Sequence, residues 1–139
     1  MEKKILIIED DPATARLVDY SLQHEGYQVI TSSNGMEGLR KAHSESPDLV
    51  ILDVMLPGMD GFEICHRLRA DPDTSKLLIL MFSAKAQEID KNTGINVGAD
   101  DYLTKPSAPA EIVSHVAKLL AKKNYPEPGE GEWIRRIKA

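Results

Sequence analysis

The stretch that most constrains the fold is Leu49-Val50-Ile51-Leu52 running into Asp53, followed by Val54-Met55-Leu56-Pro57-Gly58-Met59-Asp60-Gly61. A short run of branched apolar residues predicts a strand buried on both faces, as in the middle of a parallel sheet. Pro57, Gly58 and Gly61 mark a loop directly after it. Asp53 therefore stands where a central strand gives way to a loop. That carboxyl rim is where open parallel sheets bind ligands.

The rest of the chain repeats the pattern. Ile5 to Ile8 predicts a first strand, ending in Glu9-Asp10-Asp11. Asp11 is a good helix cap and Pro12 suits the first helical position. Ala15, Val18 and Leu22 recur at helical spacing, and Gly26 supplies a stop. Tyr27 to Thr31 predicts a second strand, Asn34-Gly35 a turn, and Met36 to Ser44 a helix burying Leu39 and Ala42. After the central strand, Phe62, Cys65 and Leu68 share one face of a third helix, which stops near Asp71-Pro72. Leu77 to Phe82 predicts a fourth strand ending at Ser83. A weak helix is expected over 87–95, where Asn92, Thr93 and Gly94 are poor helix formers. Tyr102-Leu103 predicts a fifth strand, leading to Thr104-Lys105-Pro106. A last helix begins near Pro109 and buries Ile112, Val116, Leu119 and Leu120.

Five strand–helix units predict an α/β fold, with a parallel sheet, helices on both faces and right-handed crossovers. One domain over residues 1–123 accounts for most of the 139 residues. Residues 124–139 read as a linker or tail, or the start of an output domain: a Glu-Pro-Gly stretch precedes a short basic amphipathic segment around Trp133. The net charge of −5 argues against direct nucleic-acid binding by this domain. The single cysteine, Cys65, excludes an internal disulfide and fits a reducing compartment. No apolar run reaches membrane-spanning length, and the expected location is cytoplasmic.

The strand ends carry the chemistry. In a parallel sheet they share one edge, so Asp10, Asp11, Asp53, Ser83 and Lys105 are expected to converge. Three carboxylates at close range repel, and a hard divalent cation such as Mg2+ relieves that repulsion. An ammonium and a hydroxyl beside them suit a phosphoryl group, with a carboxylate as its acceptor.

In these motifs the chain resembles the receiver domain of the two-component response-regulator family. The resemblance is carried by Ile7-Ile8-Glu9-Asp10-Asp11, Leu52 through Gly61, Ser83-Ala84, Gly98-Ala99-Asp100-Asp101-Tyr102-Leu103 and Thr104-Lys105-Pro106, in order over about residues 3–123. It implies a flavodoxin-like sheet of strand order 2-1-3-4-5. It implies that Asp53 accepts a phosphoryl group from a histidine kinase or histidine phosphotransfer protein. Magnesium is then held by Asp10, Asp11, Asp53 and the Met55 carbonyl. Lys105 pairs with the phosphate, through a cis bond to Pro106, and Ser83 donates to it. Tyr102 turns inward with Ser83, reshaping the surface of the 87–95 helix, the fifth strand and the last helix. Met55 and Lys85 match positions that tune the lifetime of the acyl phosphate. The resemblance describes a signalling phosphoacceptor rather than an enzyme, one that catalyses only its own phosphorylation and dephosphorylation. Its output partner is a separate protein or a fused domain.

Two departures stand out. Ser107 follows Lys105-Pro106 where the family usually has an aromatic. Asp100, Asp101, Lys91 and Lys118 partly fit the charge pattern of members that dimerise, while His115 stands where an arginine is usual, so both a monomer and a phosphorylation-dependent dimer are open. Taken singly, the residues have ordinary roles: Asp11 as a cap, Lys105 as a solvated lysine, Tyr102 as a packing residue. Cys65 reads as packed. His24, His43, His66 and His115 show no ligand spacing along the chain, which argues against a zinc site. The competing function is a receiver-like interaction module that signals without phosphorylation. A flavin carrier on a similar fold is disfavoured, because Asp10 and Asp11 would repel its phosphate.

Overall fold

The computed structural model describes residues 2–84 and 98–124. The elements run β1 (Lys4–Ile8), α1 (Pro12–His24), β2 (Gln28–Ser32), α2 (Gly35–Ser44), β3 (Leu49–Leu52), α3 (Gly61–Ala70), β4 (Leu78–Ser83), β5 (Asp101–Thr104) and α4 (Pro109–Asn124). The expected 87–95 helix and the 125–139 tail lie outside the described residues. All five strands are parallel, in the order β2-β1-β3-β4-β5. Among the described residues, no helix is long and apolar enough to cross a membrane.

The central strands are apolar throughout because both sheet faces are covered. Successive side chains in a strand point to opposite faces, and β1 divides its residues accordingly. Leu6 and Ile8 join Val50, Leu52, Ile79 and Met81 in a layer with Ile64, Cys65 and Leu68 of α3. Ile5 and Ile7 join Leu49, Ile51, Leu80 and Phe82 in a layer with Val18 and Leu22 of α1 and Ile112, Val116 and Leu120 of α4.

Helix starts follow local chemistry. Asp11 caps α1 by accepting from the Thr14 amide, with Pro12 in the first turn. Asn34 caps α2 by accepting from the Glu37 amide. It acts as a helix cap where the sequence suggested only a turn, and Gly35 is already helical. Asp60 caps α3 by accepting from the Glu63 amide. Behind that cap, Gly61 packs on the backbone of the acid-bearing segment. Its amide donates to the Val54 carbonyl at 2.8 Å, and an added Cβ would meet the Asp53 carbonyl oxygen at 2.5 Å. A side chain there would force α3 away from β3.

Candidate functional site

Strand register brings the site together. Ile8 pairs with Leu52 across β1 and β3, so Glu9 and Asp53 are the next residues of adjacent strands. The pairing continues past the strand ends, since the Asp53 amide donates to the Ile8 carbonyl at 3.1 Å. On the far side Ser83 pairs with Thr104 across β4 and β5. The Lys105 amide then donates to the Ser83 carbonyl at 2.8 Å. Lys105 is thereby set one residue beyond β5, on the same edge as Asp53. The expected cis peptide between Lys105 and Pro106 is present.

Asp53 is 6% exposed and Glu9 5% exposed, although both are carboxylates. Asp53 is oriented through both oxygens. Its Oδ1 accepts from the Met55 amide at 3.1 Å, and its Oδ2 faces Lys105 Nζ at 3.4 Å. Lys105 Nζ also donates to Glu9 Oε1 at 2.5 Å and lies 5.3 Å from the centre of the Phe82 ring. Glu9 Oε2 accepts from the Asp11 amide at 3.1 Å.

Ligand oxygens of Glu9, Asp10 and Asp53 lie within 4.8 Å of one another. Burial pushes the Glu9 carboxyl up to about 7, against the pull of its bond to Lys105. For Lys105, burial favours the neutral amine, but the bond to Glu9 and the charge of Asp53 outweigh it and its pKa rises. Lys105 is thus shared by Glu9 and Asp53, with the Asp10 carboxylate beside them. An all-oxygen donor set with excess negative charge fits a hard divalent cation.

The residues singled out in the sequence divide into two groups. Asp10, Asp53 and Lys105 meet at this rim. Asp11 does not join the three clustered carboxylates: its side chain accepts from the Thr14 amide and hydroxyl, which hold its pKa low. Glu9 takes that place, and the acidic pair of the rim is Glu9-Asp10. Glu9 was not among the residues singled out in the sequence. The available signal was register, since Glu9 ends its strand at the level where Asp53 ends β3. Ser83 is fully buried at the end of β4. Tyr102 is half-buried and packs against the layer containing α2 and α3. Met55 is exposed beside Asp53. Cys65 is buried, and burial pushes its thiol up to about 11, in keeping with a packing role. Of the charges expected on the dimerising face, Asp100 is engaged within the chain by Arg69 at 2.8 Å and Asp101 by His115 at 2.6 Å.

This arrangement is shared with known proteins. The response regulator receiver domain family matches residues 5–117. The alkaline phosphatase synthesis transcriptional regulatory protein PhoP of Bacillus subtilis is 46% identical over 130 residues, covering 92% of this chain and 52% of the relative. The chain thus spans about half the length of that curated relative. The chemotaxis response regulator CheY4 of Vibrio cholerae has a TM-score of 0.81 at 31% identity, covering 86% of this chain and 99% of that one. The signal receiver domain of a signal transduction histidine kinase from Syntrophus aciditrophicus has a TM-score of 0.82 at 34% identity, covering 90% and 95%. Strand order, the acid-lined rim and the matched sequence lead to the same place: the chain belongs to the response regulator receiver domain family of two-component systems.

Proposed function

We propose that Asp53 accepts a phosphoryl group from a phosphohistidine on a partner histidine kinase or phosphotransfer protein. The observation that carries this reading is the Asp53 carboxylate itself, buried, fixed at one oxygen by the Met55 amide and facing Lys105 at the other. A carboxylate oxygen of Asp53 attacks phosphorus in line, the bond to the donor's imidazole nitrogen breaks, and the imidazole takes up a proton as it leaves. Lys105 offsets charge on the transferred oxygens. Glu9, Asp10 and Asp53, with the Met55 carbonyl, would hold a magnesium ion, which would supply further neutralisation of those oxygens. Asp11 serves this site by holding the start of α1, and its amide fixes Glu9.

Once phosphorylated, Ser83 donates to a phosphoryl oxygen and Tyr102 follows it inward. Lys105 is joined to Ser83 through the backbone, so both groups respond to the same new charge. The signal passes to an output protein or fused domain across the β5 and α4 face, in a monomer or a dimer formed on phosphorylation. The receiver unit spans 1–123, and residues 124–139 form a linker, a C-terminal tail or the start of an output domain. The domain works as a cytoplasmic signalling module, with chemistry limited to its own phosphorylation and dephosphorylation.

The test is incubation with acetyl phosphate and Mg2+ followed by intact-mass measurement. A gain of one phosphoryl group is expected, absent in Asp53→Asn and absent when Mg2+ is chelated. No gain in the unaltered chain, or a gain that survives Asp53→Asn, overturns the reading in favour of an interaction module that signals without phosphorylation.

A further inference from the structure

A second group of metal-binding side chains gathers at the opposite edge of the sheet, among the segments that precede β3 and β4. His43 stands in the last turn of α2, Asp71 caps the C-terminus of α3, and Asp73 follows in the turn toward β4. His43 Nε2 lies 3.0 Å from Asp71 Oδ2. One ligand atom from each of His43, Asp71 and Asp73 lies within 4.8 Å of the others. His43 and Asp73 also line a cavity of about 520 Å3, with Pro47, Pro72 and Lys76 among its walls.

A simple surface ion pair explains His43 and Asp71 but not the rest. The Asp71 Oδ1 accepts from the Asp73 amide at 2.9 Å, which leaves Oδ2 turned to the imidazole and sets Asp73 beside it. Both α2 and α3 end here, and the carbonyl ends of two helices favour a cation. One imidazole and two carboxylates make a mixed nitrogen and oxygen donor set, which suits zinc and is poorly matched to magnesium. The 3.0 Å separation of Nε2 and Oδ2 is that of a hydrogen-bonded pair, and the two atoms need to part by only a few tenths of an ångström to stand about 3.3–3.4 Å apart, as two ligands of a tetrahedral ion do. Asp73 is exposed, so its carboxylate is free to rotate and close the set.

We propose that His43, Asp71 and Asp73 form a zinc-class site, with water in the position facing the cavity. Its effect is to tie the end of α2 to the end of α3, far from Asp53. The ligands come from two helix ends and a turn, which is why no spacing along the chain signals them. Lys76 is the competing cation on the cavity wall.

The test is titration of the full chain with ZnCl2, following the imidazole NMR signals of the four histidines. The His43 signals are expected to shift first and saturate at one equivalent, and Mg2+ is expected to leave them unmoved. His43→Gln and Asp73→Asn, both at exposed positions, should weaken zinc binding by roughly tenfold or more. Asp53→Asn should leave the His43 response intact, which separates this site from the acid-lined rim. Equal shifts of all four histidines, an unchanged affinity in Asp73→Asn, or loss of the response in Asp53→Asn would overturn the proposal.

Discussion

Two charged clusters, one at the acid-lined rim and one at the end of α3, solve opposite problems. At the rim, the carboxylates of Glu9, Asp10 and Asp53 cluster, and one ammonium, that of Lys105, pairs with Glu9 and Asp53. At the other, the Arg69 guanidinium is spent on protein acceptors. It donates to the carbonyls of Gly98, Ser75 and Leu77 and to the Asp100 carboxylate. Asp100 Oδ2 in turn accepts from the Ile79 amide. A charge whose nitrogens each donate to a protein acceptor holds architecture, here the end of α3, the start of β4 and the approach to β5. A charge cluster with too few counter-ions holds unrelieved repulsion, which a bound cation removes. The first kind is expected to stabilise the fold and the second to weaken it.

The strongest way to break this contrast is Arg69→Met. It leaves three carbonyls without their donor and Asp100 without its partner, and a loss of about 3 kcal/mol in urea denaturation is expected. A smaller effect of opposite sign is expected for Glu9→Gln in buffer free of divalent cations. Burial raises the folded Glu9 carboxyl from the ordinary 4.5 to about 7. The stability contributed by its proton is fully present below 4.5 and is lost as pH rises through about 7. Glu9→Gln should therefore gain on the order of 2 kcal/mol at pH 8, an advantage that shrinks as pH falls toward about 5. Destabilisation by Glu9→Gln at pH 8 would show that the bond to Lys105 outweighs the cost of burying the Glu9 charge beside Asp53. The smallest effect belongs to Asp60→Ala at the rim end of α3. Losing the bond from the Glu63 amide should lower stability by about 1 kcal/mol in a thermal melt.

The sheet was legible in the sequence because its central strands are buried on both faces. The runs 5–8, 49–52 and 78–82 leave no other reading, and their boundaries differ from expectation by a residue or so. Cooperative features were harder to see. Asn34 looks like a turn former until its side chain is seen to satisfy the Glu37 amide. Ile64 was not named for the α3 face, although it is fully buried, because the pattern Phe62, Cys65 and Leu68 already completes a helical stripe. At the site, Asp53 and Lys105 were found from strand ends alone. Glu9 required the register between β1 and β3, which no local pattern carries. The His43 cluster was invisible for the same reason: its members are neighbours only after α2 and α3 have packed side by side.

Gly61 gives the rim an asymmetry. With no side chain, it seats the start of α3 against the Asp53 carbonyl and takes the Val54 carbonyl as a hydrogen-bond partner. That wall behaves as an anvil: the backbone under Asp53 cannot recoil toward α3 without colliding with it. Asp53 is thereby coupled to the start of α3 through its backbone as well as to Lys105 through its side chain.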